Sequence, residues 1–252
     1  MNYPRITPSY LVSVTMIPNK TQLLISVTSI EEAQIALENG ADIIDLKDPS
    51  AGALGALPLE LVSDVVTYVR NYEESKSKVT SATIGDTPMQ PAMLFEQVSR
   101  VAATGVDIVK IGFFEAEDYQ SCLDVLKPLA FQGLKLIAVL FAEMTYPKDL
   151  ILAIRNAHFM GVMLDTAEKN GKTLLDYYPK DRRERFAKKI HENQMQLGFA
   201  GSLRIEHMTT IKDLSPSYIG FRGGVCNEHQ RNLKLDAIKV RAVRNTLKIF
   251  PL

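Results

Sequence analysis

The sequence predicts an α/β protein, a single (β/α)8 TIM barrel, and three observations carry that expectation. Short β-rich runs alternate with longer amphipathic stretches eight times along the chain, the pattern of a parallel sheet wound through βαβ units. The length of 252 residues, 46% hydrophobic and 23% charged, is near the usual size of one such barrel and allows a large buried core. The first strand-to-helix turn, Ser26-Val27-Thr28-Ser29, contains no glycine, whereas an open doubly wound sheet usually places its phosphate fingerprint there. No Pro/Gly/Ser-rich linker or break in composition divides the chain. Residues 21–252 therefore read as one catalytic domain behind an N-terminal extension at 1–20.

The first unit pairs a strand at 22–27 with a helix at 30–39. Ser29 precedes Ile30-Glu31-Glu32, an N-cap with acids in the first turn, and Gly40 supplies the stop. The second strand, 41–46, is an apolar run that ends in Lys47-Asp48-Pro49, and its helix falls at 58–72. Residues 71–78 read as a solvated turn into the third strand at 78–82, with a helix at 91–104. The fourth strand, 106–109, stops at Lys110 and leads to a helix at 117–130; the fifth, 135–140, leads to one at 148–158. The sixth, 161–164, stops at Asp165. After it, Asp176-Tyr177-Tyr178 reads as loop, and a mixed-charge helix runs over 180–194. The seventh strand, 196–200, precedes a helix at 204–213, and the eighth, 217–220, precedes the last helix at 236–249.

Chemistry concentrates where these strands end. Ile43, Asp45 and Lys47 alternate by two, so a strand sets them on one face and brings a carboxylate and an amine together at its end. In a parallel α/β barrel that end is the catalytic rim. Lys110, Asp165 and Lys169 fall on the same rim, and Asp86 sits just after the third strand. A single lysine at a strand end is commonly just solvated, but five charged residues on one rim argue for a site. A buried lysine beside another cation loses proton affinity and becomes an amine nucleophile toward carbonyls. A neighbouring carboxylate holds it in place and moves protons. The loops after strands seven and eight carry Gly201-Ser202 and Arg222-Gly223-Gly224. Barrels often bind phosphate there through backbone N–H groups and a helix N-terminus. Ser202 adds a hydroxyl and Arg222 a charge.

Other classes find little support. Lys+Arg and Asp+Glu both number 29, so no basic surplus points to nucleic acid or an anionic membrane. No apolar run is long enough to span a bilayer. The segment Leu11-Val12-Ser13-Val14-Thr15-Met16-Ile17 is too short and lacks a cleavage site for a signal peptide. Cys122 and Cys226 are far apart, and His158, His191, His207 and His229 lack metal-ligand spacing. The expectation is a reduced, cytoplasmic enzyme with no metal and no cofactor. Cys226 reads as a small packed residue rather than a nucleophile. The expected partner is a small phosphorylated ligand, with no nucleic acid or membrane, and self-association into a homo-oligomer.

Several segments together resemble one family. They are Asp42-Ile43-Ile44-Asp45-Leu46-Lys47-Asp48-Pro49 with Gly52 and Leu54-Gly55, Ser81-Ala82-Thr83-Ile84-Gly85-Asp86, and Val109-Lys110-Ile111-Gly112. Met163-Leu164-Asp165-Thr166-Ala167-Glu168-Lys169-Asn170-Gly171-Lys172-Thr173-Leu174, Ala200-Gly201-Ser202 and Arg222-Gly223-Gly224-Val225-Cys226 complete the set. In order and spacing, from about residue 22 onward, they are similar to (5-formylfuran-3-yl)methyl phosphate synthase, also called 4-(hydroxymethyl)-2-furancarboxaldehyde-phosphate synthase. The resemblance implies a barrel enzyme that joins two glyceraldehyde-3-phosphate molecules into a phosphorylated furan aldehyde, with loss of one phosphate and water, on the way to methanofuran. It implies a Schiff-base lysine at Lys47 and helpers at Asp45, Lys110, Asp165 and Lys169, with either Asp45 or Asp165 as base. Asp45-Leu46-Lys47 is also similar to the Asp-x-Lys of orotidine-monophosphate decarboxylases, but this chain has Ser50 where that pattern has a second aspartate. Another class I aldolase acting on a phosphorylated carbonyl, or a non-catalytic phosphate binder, are the alternatives.

Overall fold

Eight parallel strands close in chain order, each bonded to the next and β8 to β1, in the computed structural model of the chain. The residues it describes are 20–72, 78–168 and 170–249. Almost all of the proposed N-terminal extension, the core of the 71–78 turn, and Lys169 lie outside the described residues. The strands are β1 (Gln22–Val27), β2 (Ile43–Leu46), β3 (Val79–Thr83), β4 (Ile108–Gly112), β5 (Lys135–Phe141), β6 (Gly161–Asp165), β7 (Gln196–Phe199) and β8 (Tyr218–Phe221). Around them run α1 (Ile30–Glu38), α2 (Leu59–Asn71), α3 (Pro91–Ala103), α4 (Tyr119–Phe131), α5 (Leu150–Asn156), α6 (Leu174–Tyr177), α7 (Lys180–Glu192), α8 (Met208–Lys212) and α9 (Ala237–Ile249). The predicted (β/α)8 barrel is the observed fold.

The period-two alternation of each strand divides its side chains between two cores. Leu23, Ile25, Ile44, Leu46, Val109, Ile111, Leu136 and Ala138 face outward into the shell shared with the helices. Leu24, Ile43, Ile108, Ile137, Val139, Met163 and Tyr218 face inward and fill the barrel. The helices match this with single apolar stripes: α2 buries Val62, Val65, Val66 and Val69 at i, i+3, i+4 and i+7. Ser29 caps α1 by accepting from the Glu32 N–H at 3.2 Å. At the other end of α1, Gly40 turns to φ +93° and Ala41 N–H donates back to Ala36 O at 2.9 Å. This C-terminal turn occupies residues expected to open the second strand, so β2 starts at Ile43.

Where the sequence suggested that strands stop at their charged residues, the ladder continues through them. Lys110 pairs with Ile137 and Asp165 with Phe141. Backbone pairing is indifferent to side-chain charge, and the charged groups simply occupy inward positions. Two further differences follow the β6 and β7 strands. Asp176 and Tyr177, part of the stretch expected as loop, fall in α6, and the helix expected at 204–213 is a 3-10 turn at Ile205–His207 continued by α8.

One interior contact tests the packing. A Cβ on Gly198 would lie 2.1 Å from Cε2 of Tyr218, whose ring fills the barrel opposite β7. Overpacking of this kind costs about 1–3 kcal/mol. Gly198→Ala is therefore expected to lower the denaturant midpoint at unchanged m-value; a wild-type midpoint would show that the ring moves aside freely.

Candidate active site

The deepest layer of polar groups is built around Asp45, which is fully buried on the inward face of β2. One carboxylate oxygen accepts from Ser81 Oγ and from the Lys110 ammonium, each at 2.6 Å, and the other accepts from Ser26 Oγ at 2.8 Å. These partners come from β3, β4 and β1, so four strands converge on one carboxylate. A buried ion pair is tolerated only when its remaining lone pairs are satisfied, and the two serines provide that. The phenol of Tyr218 lies in the same interior. Burial raises its pKa most, and the charge of Asp45 raises it further.

One step along β2 toward the rim, the Lys47 amine lies 3.6 Å from Asp165 Oδ2, with side chains only 10% and 8% exposed. The Thr166 backbone N–H donates to Asp165 Oδ1 at 2.7 Å and leaves Oδ2 turned toward the amine. Lys47 and Asp165 form one wall of a cavity of about 350 Å³, which also exposes Gly201, Ser202, Gly223, Gly224, Arg222 and Arg231. That volume is in the range of small-molecule sites. The structure thus brings Asp45, Lys47, Lys110 and Asp165 together at the C-terminal ends of β2, β4 and β6, and faces them with the loops after β7 and β8.

Those loops are held by specific contacts. Gly201 and Ser202 have φ of +100° and +52°, a left-handed pair that turns the backbone sharply after β7. The Leu174 N–H at the start of α6 donates to Gly201 O at 2.9 Å, and the Asp176 carboxylate accepts from the Thr173 N–H and hydroxyl at 2.6 and 2.8 Å. The unanticipated helix α6 therefore ties the β6 loop to the β7 loop. Glu143, which the sequence reading passed over, accepts from the N–H groups of Ala167 and Glu168 at 3.1 and 3.0 Å and anchors the same β6 loop from β5.

Two residues expected at the rim are committed to the scaffold. Asp86 accepts from the N–H groups of Ala53 and Leu54 at 2.8 and 2.7 Å and shapes the loop after β2. Arg222 donates to Glu32, to Ser26 O at 3.1 Å, to Arg231 O at 2.8 Å and to Leu233 O at 3.2 Å. Its guanidinium thus locks the loop after β8 onto α1 and β1, leaving little donor capacity for a ligand. The arginine missed by sequence reasoning is Arg231. It lines the cavity, and its guanidinium donates to Gly52 O at 2.9 Å.

Cys226 is buried and burial pushes its thiol up to about 11, so it is protonated at neutral pH and inert as a nucleophile. Cys226→Ala is expected to leave turnover within twofold of wild type, a result that steady-state rates would check. Among the described residues, no group of three or more His, Cys, Asp or Glu side chains could hold a metal ion, and no helix is long and apolar enough to cross a membrane.

Comparison with solved structures shows the fold alone. Phosphoribosyl anthranilate isomerase from Thermus thermophilus superposes with a TM-score of 0.63 at 16% identity, over 91% of this chain and 99% of that one. A 3-hexulose-6-phosphate synthase superposes with a TM-score of 0.59 at 14% identity, over 90% and 99%. Sequence relatives are more specific. A Methylorubrum extorquens protein, named provisionally as a (5-formylfuran-3-yl)methyl phosphate synthase, is 36% identical over 233 residues, spanning 92% of this chain and 94% of its own. The (5-formylfuran-3-yl)methyl phosphate synthase of Methanococcus maripaludis strain S2 is 31% identical over 223 residues, 83% of this chain and 92% of its own. That of Methanopyrus kandleri is 31% identical over 224 residues, 84% and 92%. Residues 23–244 match the family described as 4-HFC-P synthase, so a barrel with a buried lysine–carboxylate site at its C-terminal rim belongs to the 4-HFC-P synthase family of enzymes.

Proposed function

We propose that the chain condenses two glyceraldehyde-3-phosphate molecules into (5-formylfuran-3-yl)methyl phosphate through an imine on Lys47, as a step toward the furan of methanofuran. The observation that carries this reading is the buried Lys47 amine facing Asp165 Oδ2 at 3.6 Å, inside a cavity rimmed by the Gly201-Ser202 and Gly223-Gly224 backbone. An amine withdrawn from water near a second ammonium favours its neutral, nucleophilic form. In this reading Lys110, held in place by Asp45 at 2.6 Å, supplies the second positive charge.

In this account Lys47 adds to the aldehyde of the first triose, and the carbonyl oxygen leaves as water. The imine acidifies the adjacent carbon. Asp165 takes the proton, because its Oδ2 faces the amine, whereas the lone pairs of Asp45 are engaged by Lys110, Ser26 and Ser81. The electron pair of the broken C–H bond forms a carbon–carbon double bond, and the C–O bond to phosphate breaks with its electrons on phosphate. The resulting enol attacks C2 of the second triose phosphate through its terminal carbon. That triose first moves its carbonyl from C1 to C2 by proton transfer, with no external oxidant, so its C2 carries the phosphorylated arm onto the furan. Ring closure, dehydration and hydrolytic release from Lys47 follow. Two triose phosphates less one phosphoric acid and two waters leave the six-carbon furan aldehyde phosphate, so atoms balance with no oxidant or reductant. The Gly201-Ser202 and Gly223-Gly224 segments hold the phosphate that is retained, and Lys169 serves as an acid or a phosphate contact. The test is mass spectrometry of glyceraldehyde-3-phosphate incubated with the enzyme alone, together with a phosphate assay. The reading requires the furan product with one phosphate released per product; phosphate release without the furan would reduce the activity to a simple elimination.

A further inference from the structure

Arg231 carries an inference beyond the retained-phosphate cup. Its side chain is half-buried on the cavity wall that Lys47 and Asp165 also line. Its single hydrogen bond goes to a carbonyl, Gly52 O at 2.9 Å, and among the described residues no carboxylate pairs with it. Arg222, nine residues earlier, is the contrast: Glu32 and three carbonyls engage its guanidinium. Removing a cation from water without pairing it is unfavourable, and functional sites commonly keep such a cation for an anion that arrives with the ligand. Burial lowers the pKa of Arg231, while the charges of Asp165, Asp86 and Asp48 help retain its proton.

The direction of its side chain distinguishes Arg231 from the glycine cup. Its backbone lies in the same β8 loop, 3.7 Å from where a Cβ on Gly223 would sit, but its guanidinium is tethered to Gly52 in the loop after β2, the strand that Lys47 follows. We propose that Arg231 forms a second phosphomonoester subsite, which holds the phosphate of the triose bound to Lys47 and receives it as it leaves. This assignment rests on the two-triose reading above, which brings two phosphates into one cavity and expels one. A guanidinium suits that task because it presents paired N–H donors to phosphate oxygens and stays charged as the leaving group gains charge.

The test is calorimetric titration of the full chain with inorganic phosphate, for wild type, Arg231→Lys and Arg231→Gln, with thermal melts to confirm that each is folded. Two phosphates per chain are expected for wild type, one for Arg231→Gln, and a weakened second site for Arg231→Lys. A single site in wild type, or two undiminished sites in Arg231→Gln, would overturn the assignment. Steady-state rates with glyceraldehyde-3-phosphate then separate the two claims. If the phosphate count drops as expected but wild type yields no furan, the subsite stands and the reaction assignment fails.

Discussion

Lys47→Ala is expected to fold normally and to make no furan product, with turnover below detection. The side chain enters a cavity rather than the apolar shell, and Asp165, 3.6 Å from the amine, keeps a backbone N–H donor from Thr166 when the amine is gone. Little packing is therefore lost. On the proposed imine mechanism the chemistry is lost, because among the described residues the other amine of the site, Lys110, is held against Asp45 at 2.6 Å, deeper in the barrel. Rates of product formation paired with circular dichroism check the claim. A folded variant that retains turnover would remove the imine from the mechanism.

Asp45→Asn is expected to be the most destabilising single change at the site. It keeps the shape of the side chain but leaves the Lys110 ammonium, 3% exposed, without its carboxylate. Breaking a buried pair by removing one partner costs about 3–5 kcal/mol, whereas replacing both partners with apolar groups is often near neutral. The double variant Asp45→Leu with Lys110→Met is thus expected to recover much of the lost stability and none of the activity. Denaturant unfolding of the single and double variants checks this. If Asp45→Asn unfolds at the wild-type midpoint, water or another group compensates Lys110, and Asp45 is not the keystone of the layer.

How much of this was legible in the sequence depends on how local each feature is. The alternation of Ile43, Asp45 and Lys47 is a property of one strand, and it correctly set the carboxylate and the amine on an inward face. Lys110 and Asp165 were legible for the same reason, as charges closing apolar runs. The serines that complete Asp45 were not, because Ser26 and Ser81 reach it through the register of β1 and β3 against β2. The two arginines after β8 show the same limit. Arg222 sits beside paired glycines and invites a ligand role, but its partner is Glu32, 190 residues earlier, and no local pattern reveals that. Arg231 sits among polar residues with no motif, and long-range contacts, its tether to Gly52 and the Arg222 bond to its carbonyl, place it at the cavity. Helix α6 was a different kind of miss. Thr173 followed by Asp176 carries the spacing of a capping box, so the signal was present, but the segment is only four residues long and its docking on Gly201 decides that it forms.

The central claim is that Lys47 is the residue that becomes covalently attached to substrate. Borohydride reduction of the enzyme during incubation with glyceraldehyde-3-phosphate, followed by intact-mass and peptide mapping, tests it most directly. The account predicts one reduced adduct per chain, located on Lys47 and absent from Lys47→Ala. An adduct on Lys110 or Lys169 instead, or furan product forming with no trappable adduct on Lys47, would contradict it.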